Sequence, residues 1–219
     1  MNNSIYTGID IGSKNLKFMS ISYNLENDTT KILYKKSYSS KGITDGYISN
    51  PDLFNQIFLS AIKNYKKETG ISIDDVILTI DSCGLKSQTL KITHNVVNQS
   101  YITEVDIDEI KRKINIIAHR EIKGEIIESK LIKYTINDYE YFSDTEGLQS
   151  KKIEAEFIFI FLPKNHISIL EKILIKNDIS LLDLKSGNLV SAEINLEKED
   201  KNLGIINIDI GSDKTSLSV

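Results

Sequence analysis

The chain has a single cysteine, Cys83, so no internal disulfide framework is open to it. No run approaches the ~20 apolar residues that a membrane-spanning helix requires. The opening residues show no apolar segment of the secretory type, so the cytoplasm is the expected compartment. The three histidines, His94, His119 and His166, lie far apart with no Cys or His companion at ligand spacing. That argues against a dedicated zinc site, and all three read as surface or structural residues. Positive charge is not in excess either: 27 Lys and Arg face 31 Asp and Glu, a net charge of -4, and the signs are interspersed. A nucleic-acid groove would show a concentrated basic face. No nucleophile motif is visible.

What is present is a chain of 219 residues, 40% of them hydrophobic, enough to bury a core in one large or two modest domains. Its most informative feature is a short signature that occurs twice. Gly8-Ile9-Asp10-Ile11-Gly12-Ser13 stands near the start and Ile206-Asn207-Ile208-Asp209-Ile210-Gly211-Ser212 near the end. Each is an apolar run that sets an aspartate at a strand end and then turns on glycine. A residue without Cβ lets consecutive backbone N–H groups converge on an anion, and the preceding aspartate suits a hydrated metal ion. Two such hairpins facing each other would grip a nucleotide's phosphates from both sides. One copy alone is weak, because many buried strands end in a turn of this composition.

Between the two copies the chain reads as an α/β protein. Strands are expected at about 5–11, 16–23 and 31–38, an antiparallel meander whose third strand alternates weakly and suits an edge. Gly42 and Gly46 punctuate a loop. Asn50 as N-cap, Pro51 at the first helical position and Gly70 as stop enclose a helix with a broad apolar stripe: Leu53, Ile57, Ala61 and Tyr65 beside Phe54, Phe58 and Ile62. A strand at 76–80 then completes a β-α-β unit and is expected parallel to the first. Residues 86–162 read strand, helix, strand, strand: Leu90 and Ile92, a helix over 106–119 with Ile110, Ile114, Ile117 and Ala118 on one face, 126–136, and 153–162. The last strand is apolar on both alternating sets after Ala155, as in a central strand covered on each side. The polar stretch 138–150 reads as a loop. After Pro163 come a helix through Ile167, Leu170, Ile173 and Leu174, a strand through Ile179, Leu181 and Leu182, a short helix near 189–194 and a charged linker over 197–202. The segment 86–162 therefore reads as an insertion into a discontinuous lobe, 1–85 with 163–202, and 203–219 as the start of a second lobe.

On these residues the chain resembles the bacterial cell-division protein FtsA, an actin relative whose first lobe carries an inserted strand-helix-strand-strand (SHS-two) subdomain. The resemblance runs over the whole chain. It rests on the first signature, on the spacing Gly42-Ile43-Thr44-Asp45-Gly46-Tyr47-Ile48, on Tyr134-Thr135-Ile136, and on Gly147-Leu148 ahead of Lys152-Ile153-Glu154-Ala155. The first hairpin alone would also suit the type IV pilus protein PilM, Hsp70 chaperones and sugar kinases; the last two lack the insertion.

The resemblance implies an actin-like ATPase fold, ATP held between two lobes, actin-like polymerisation, and a link between the tubulin-like FtsZ and the membrane through a C-terminal amphipathic helix. It places the whole protein at the inner face of the cell membrane at the division site, with the inserted subdomain contacting neighbouring protomers and later division proteins. It also implies that Asp10 and Asp209 hold hydrated magnesium, that the backbones of Gly12, Ser13, Lys14 and Asn15 cradle phosphate, and that Gly211, Ser212 and Thr215 do so from the other side. The chain departs from the family in three ways. The family's usual lysine falls at Asn15, whereas here the lysine is Lys14. The second turn reads Ser212-Asp213-Lys214, and a carboxylate at Asp213 would repel a triphosphate unless it turned outward or paired with Lys214. Val219 falls partway through a strand, so the chain reads as an N-terminal fragment with a half-formed site. Millimolar ATP affinity is expected of it, together with a stub from Gly204 onward that is disordered or prone to association. Other readings are a PilM-like actin homologue, a nucleotide-free interaction module and a sugar-kinase-type phosphotransferase. For the module, the charged helix face carrying Glu109, Lys111, Arg112 and Lys113 is the candidate partner surface.

Overall fold

The computed structural model describes residues 3–96, 101–143, 145–197, 200 and 204–219. Contacts divide the chain into two compact units, Met1–Gly84 with Asn165–Val219, and Leu85–Lys164.

In the first unit β1 (Asn3–Ile11), β2 (Asn15–Asn24) and β3 (Thr29–Ser39) form the expected meander. A small hairpin follows, β4 (Ile43–Thr44) with β5 (Tyr47–Ile48), turning on Asp45 and Gly46, both at positive φ. Helix α1 (Pro51–Thr69) begins where the Asn50 side-chain oxygen accepts from the Leu53 N–H and ends at Gly70, φ 72°. Its buried row is Phe54, Phe58, Ala61 and Tyr65, set against Phe18 and Tyr34 of the sheet; Leu53, Ile57 and Ile62 are half-buried. The next strand, β6 (Asp75–Ile80), runs parallel to β1, as expected of the β-α-β unit.

The second unit holds β7 (Lys86–Asn95), α2 (Glu104–Glu121), β8 (Glu125–Ile136), β9 (Tyr139–Tyr141) and β10 (Lys152–Leu162), in the sheet order β7-β10-β8-β9. Ile110, Ile114 and Ala118 of α2 pack in one core with Leu90, Tyr134, Ile153, Ala155, Phe157 and Phe159. On the opposite set of β10, Glu154, Glu156 and Ile158 are only half-buried, so coverage on both sides is confined to its end at Ile160 and Leu162. The helix starts at Thr103, where the Asp106 carboxylate closes a capping box and also meets the buried His94 at 2.9 Å. Strand β9 lies inside the stretch expected to be loop. Asn137 and Asp138 adopt positive φ and fold a two-residue turn onto β8, which polar composition alone did not reveal. The charges on the outer face of α2 pair among themselves, Lys113 with Glu109 at 2.7 Å and Lys111 with Asp108 at 3.5 Å.

Back in the first unit, α3 (Lys164–Lys176) leads to β11 (Ser180–Lys185), α4 (Gly187–Asn195), β12 (Asn207–Ile210) and β13 (Thr215–Ser218). The main sheet is ordered β11-β6-β1-β2-β3, with β3 at the edge its weak alternation predicts. A bulge between Leu181 and Asp183 inverts the alternation of β11, so Leu184 is buried and Leu182 is exposed. Of the expected linker 197–202, residues 198, 199, 201 and 202 lie outside the described residues. The stub from Gly204 onward, expected to be disordered or prone to association, holds a hairpin in which β12 and β13 pair over four residues. Asn188 anchors that hairpin, accepting from the Asn207 carboxamide at 2.8 Å and the Ser218 hydroxyl at 2.6 Å on its side-chain oxygen. The edges of the two-stranded sheet stay unpaired, with Ile208, Ile210 and Leu217 exposed.

Candidate functional site

The two signatures fold into hairpin turns of the same construction. In the first, the Gly12 N–H donates to the Asn15 carbonyl at 3.1 Å; in the second, the Gly211 N–H donates to the Lys214 carbonyl at 2.9 Å. The approach calls for glycine at Gly12, where a Cβ would stand 2.8 Å from the Asn15 oxygen, and is tight at Gly211, where one would stand 3.1 Å from the Lys214 oxygen. Each turn leaves two residues at its tip, Ser13-Lys14 and Ser212-Asp213, whose N–H groups find no acceptor among the described residues.

Both turns line one cavity of about 430 Å³, with Asp10, Gly12, Ser13, Lys14 and Asn15 on one side and Asp209, Gly211, Ser212, Asp213 and Lys214 on the other. The geometry differs from the expected phosphate contacts at Thr215, Gly12 and Gly211. Thr215 does not line the cavity; it begins β13, where the ladder pairs it with Ile210. The N–H groups of Gly12 and Gly211 are consumed inside their own turns, so the donors left over are those of the tip residues.

Three residues that sequence reasoning missed complete the cleft. Lys17 faces Asp10 directly across the β1–β2 ladder, with Nζ 2.8 Å from Asp10 Oδ2, and the bond to Asp10 raises its pKa. The signal was there: a two-residue turn at 13–14 sets residue 17 opposite residue 10. The other oxygen of Asp10 accepts from the Thr79 hydroxyl at 3.0 Å. Asp81, just past β6, accepts from the Ser186 hydroxyl at 2.7 Å and the Asn188 N–H at 2.8 Å, sealing the N-terminus of α4. This works because Gly187 leaves room, since a Cβ there would meet Asp81 Oδ2 at 2.9 Å.

The third, Lys214, reaches from the second turn to the β4–β5 turn. A Cβ on Gly46 would come within 2.4 Å of its Nζ, so the ammonium packs against the bare Cα. Burial lowers its pKa, and the carboxylates of Asp81, Asp209 and Asp10, with Cys83, oppose that shift. Gly46 also donates its N–H to the Ser13 hydroxyl at 3.1 Å, tying the glycine loop to the first hairpin. Deeper in the cleft, a hollow of about 320 Å³ is shared by Asp10, Lys17, Thr79, Asp81 and Asp209. A larger hollow of about 530 Å³ on the sheet face has an apolar floor of Ile9, Phe18, Met19 and Ile77 and brings few polar groups together. Among the described residues, no three His, Cys, Asp or Glu side chains converge closely enough to hold a metal ion.

No family model matches the chain. Over its full length it is 22% identical to the cell division protein FtsA of Bacillus subtilis, covering 49% of that protein, and 26% identical to the FtsA of Staphylococcus epidermidis, covering 46%. The chain thus spans about half the length of the curated relatives it matches. Among solved structures it is similar to the PilM-PilN type IV pilus biogenesis complex, with a TM-score of 0.56 at 15% identity over 97% of this chain and 56% of that one. At that identity the likeness speaks for the fold. The chain has the actin-like fold, and over its whole length it is similar to about half of the cell division protein FtsA.

Proposed function

We propose that the chain supplies the phosphate-gripping first lobe of an FtsA-like division protein, which binds ATP, polymerises like actin and links FtsZ to the membrane while later division proteins are recruited. The observation that carries this reading is the convergence of two identically built glycine turns on one cavity. The tip N–H groups of Ser13, Lys14, Ser212 and Asp213 are its phosphate donors, and Lys14, Lys17 and Lys214 its countercharges. We read the second unit as the SHS-two subdomain, the surface for neighbouring protomers and division partners. Among the described residues no helix is long and apolar enough to cross a membrane.

Magnesium at Asp10 and Asp209, implied by the resemblance, does not fit this arrangement. Carboxylate oxygens are the right kind of ligand. However, each oxygen of Asp10 and of Asp81 already accepts a hydrogen bond. Asp209 is then the one carboxylate of the inner hollow for which no hydrogen bond is recorded among the described residues.

A nucleotide-free interaction module is the second reading, favoured by the placement of Asp213 beside the tip N–H groups. Titration of ATP into the ¹⁵N-labelled chain separates the two. Saturable shifts confined to the amides of 12–15 and 211–214, with affinity of order millimolar, are expected because the donors seen here grip only the phosphates. No shift at either turn would overturn the nucleotide reading.

A further inference from the structure

A divalent ion in a phosphate cleft has two tasks: to neutralise the carboxylates and to bridge them to phosphate oxygens. In this cleft both tasks already have residues in place. Lys17 Nζ stands 2.8 Å from Asp10 Oδ2 and shares the inner hollow with Asp209. Lys214 enters from the opposite hairpin, its ammonium seated against Gly46, and lines the same cavity as Asp10, Asp81 and Asp209. Asp81 is further held by the Ser186 hydroxyl and the N-terminus of α4. An ammonium group carries three donors, so Lys17 retains two after bonding Asp10 and can hold a carboxylate and a phosphate oxygen at once.

Position 46 is a glycine at φ 71°, where a Cβ would stand 1.9 Å from the Asp81 carbonyl oxygen and 2.4 Å from the Lys214 ammonium, so the bare backbone leaves the space that the ammonium occupies. The cross-strand register sets Lys17 directly beside Asp10.

We propose that Lys17 and Lys214 stand in the place of a divalent metal, so that this cleft takes the polyphosphate of a nucleotide without magnesium. The inference rests on the phosphate reading given above.

The test is titration of ATP, and separately of inorganic tripolyphosphate, into the ¹⁵N-labelled full chain, once with EDTA and once with excess magnesium. The expected result is the same set of shifted turn amides and affinities within about threefold of each other. Binding at least about tenfold tighter with magnesium overturns the proposal, as do shifts of the Asp10 and Asp209 amides on adding magnesium alone. The variants Lys17→Met and Lys214→Met lose binding in EDTA and recover it on adding magnesium, because the ion then enters the place the ammonium left. Loss that magnesium does not restore would make the lysines merely structural and would sink the idea. No binding of either anion in any condition overturns the phosphate reading itself, and the proposal with it.

Discussion

Gly46 reads in the sequence as loop punctuation and Gly70 as a helix stop, and both adopt left-handed φ, 71° and 72°. What surrounds them differs. A Cβ at Gly70 would meet nothing within 4 Å, whereas one at Gly46 would lie 1.9 Å from the Asp81 carbonyl oxygen and 2.4 Å from Lys214 Nζ. Gly70→Ala is therefore expected to cost only the left-handed conformation, about 1 kcal/mol. Gly46→Ala adds overpacking of about 1–3 kcal/mol on top. Urea denaturation of both variants checks this, and equal losses would show that the β4–β5 turn gives way freely. The comparison marks the limit of reading residues one at a time. The signature glycines and aspartates of the cleft were legible, because strand-end chemistry is local. Lys214 and Asp81 were not, because their roles come from neighbours more than 100 residues away in sequence.

Elements were legible where one physical signal dominated. Helix α1 carries its cap, its proline, its stripe and its stop in order, and the structure follows each. Strand β9 and the bulge of β11 were hidden, since a two-residue turn of Asn137 and Asp138 and a one-residue slip leave composition unchanged. The β12–β13 hairpin was expected from its signature, but what seats it was not. Paired over four residues with apolar side chains outward, it owes its seating to Asn188, itself 2% exposed. Removing that side chain in Asn188→Ala deletes two hydrogen bonds worth about 1 kcal/mol each, partly offset because its buried side-chain nitrogen has no partner among the described residues. Amide exchange in β12 and β13 should accelerate by about tenfold while β1 and β2 stay protected. Unchanged exchange in the hairpin would mean that Lys214 alone holds it.

At the scale of the whole molecule, the α/β character and the order of most elements followed from apolar periodicity and cap signals, while the chemistry of the second unit's interior did not. His94 read as a structural histidine among three, and nothing in its neighbourhood marked it as the partner of Asp106. Both side chains are almost wholly buried, and Asp106 also receives the Thr103 N–H and hydroxyl, so a single carboxylate binds β7 to the start of α2. A polar group enclosed this way is costly to leave unanswered, which makes the pair a sensitive probe of the unit that contains it. Asp106→Ala strands His94 in the core and removes the helix cap, a loss of about 3–5 kcal/mol. Since Ile110, Ile114, Phe157 and Phe159 pack in a core contained within Leu85–Lys164, the damage should be read in that unit first. Hydrogen exchange is the measurement. Amides of α2, β8 and β10 should lose protection to the full extent of the destabilisation, while those of α1, β1 and β6 exchange as in the unaltered chain. Asp106→Asn, which keeps the shape and one acceptor, should recover roughly half of the loss. Uniform loss of protection along the whole chain would show instead that the two units unfold as one cooperative body.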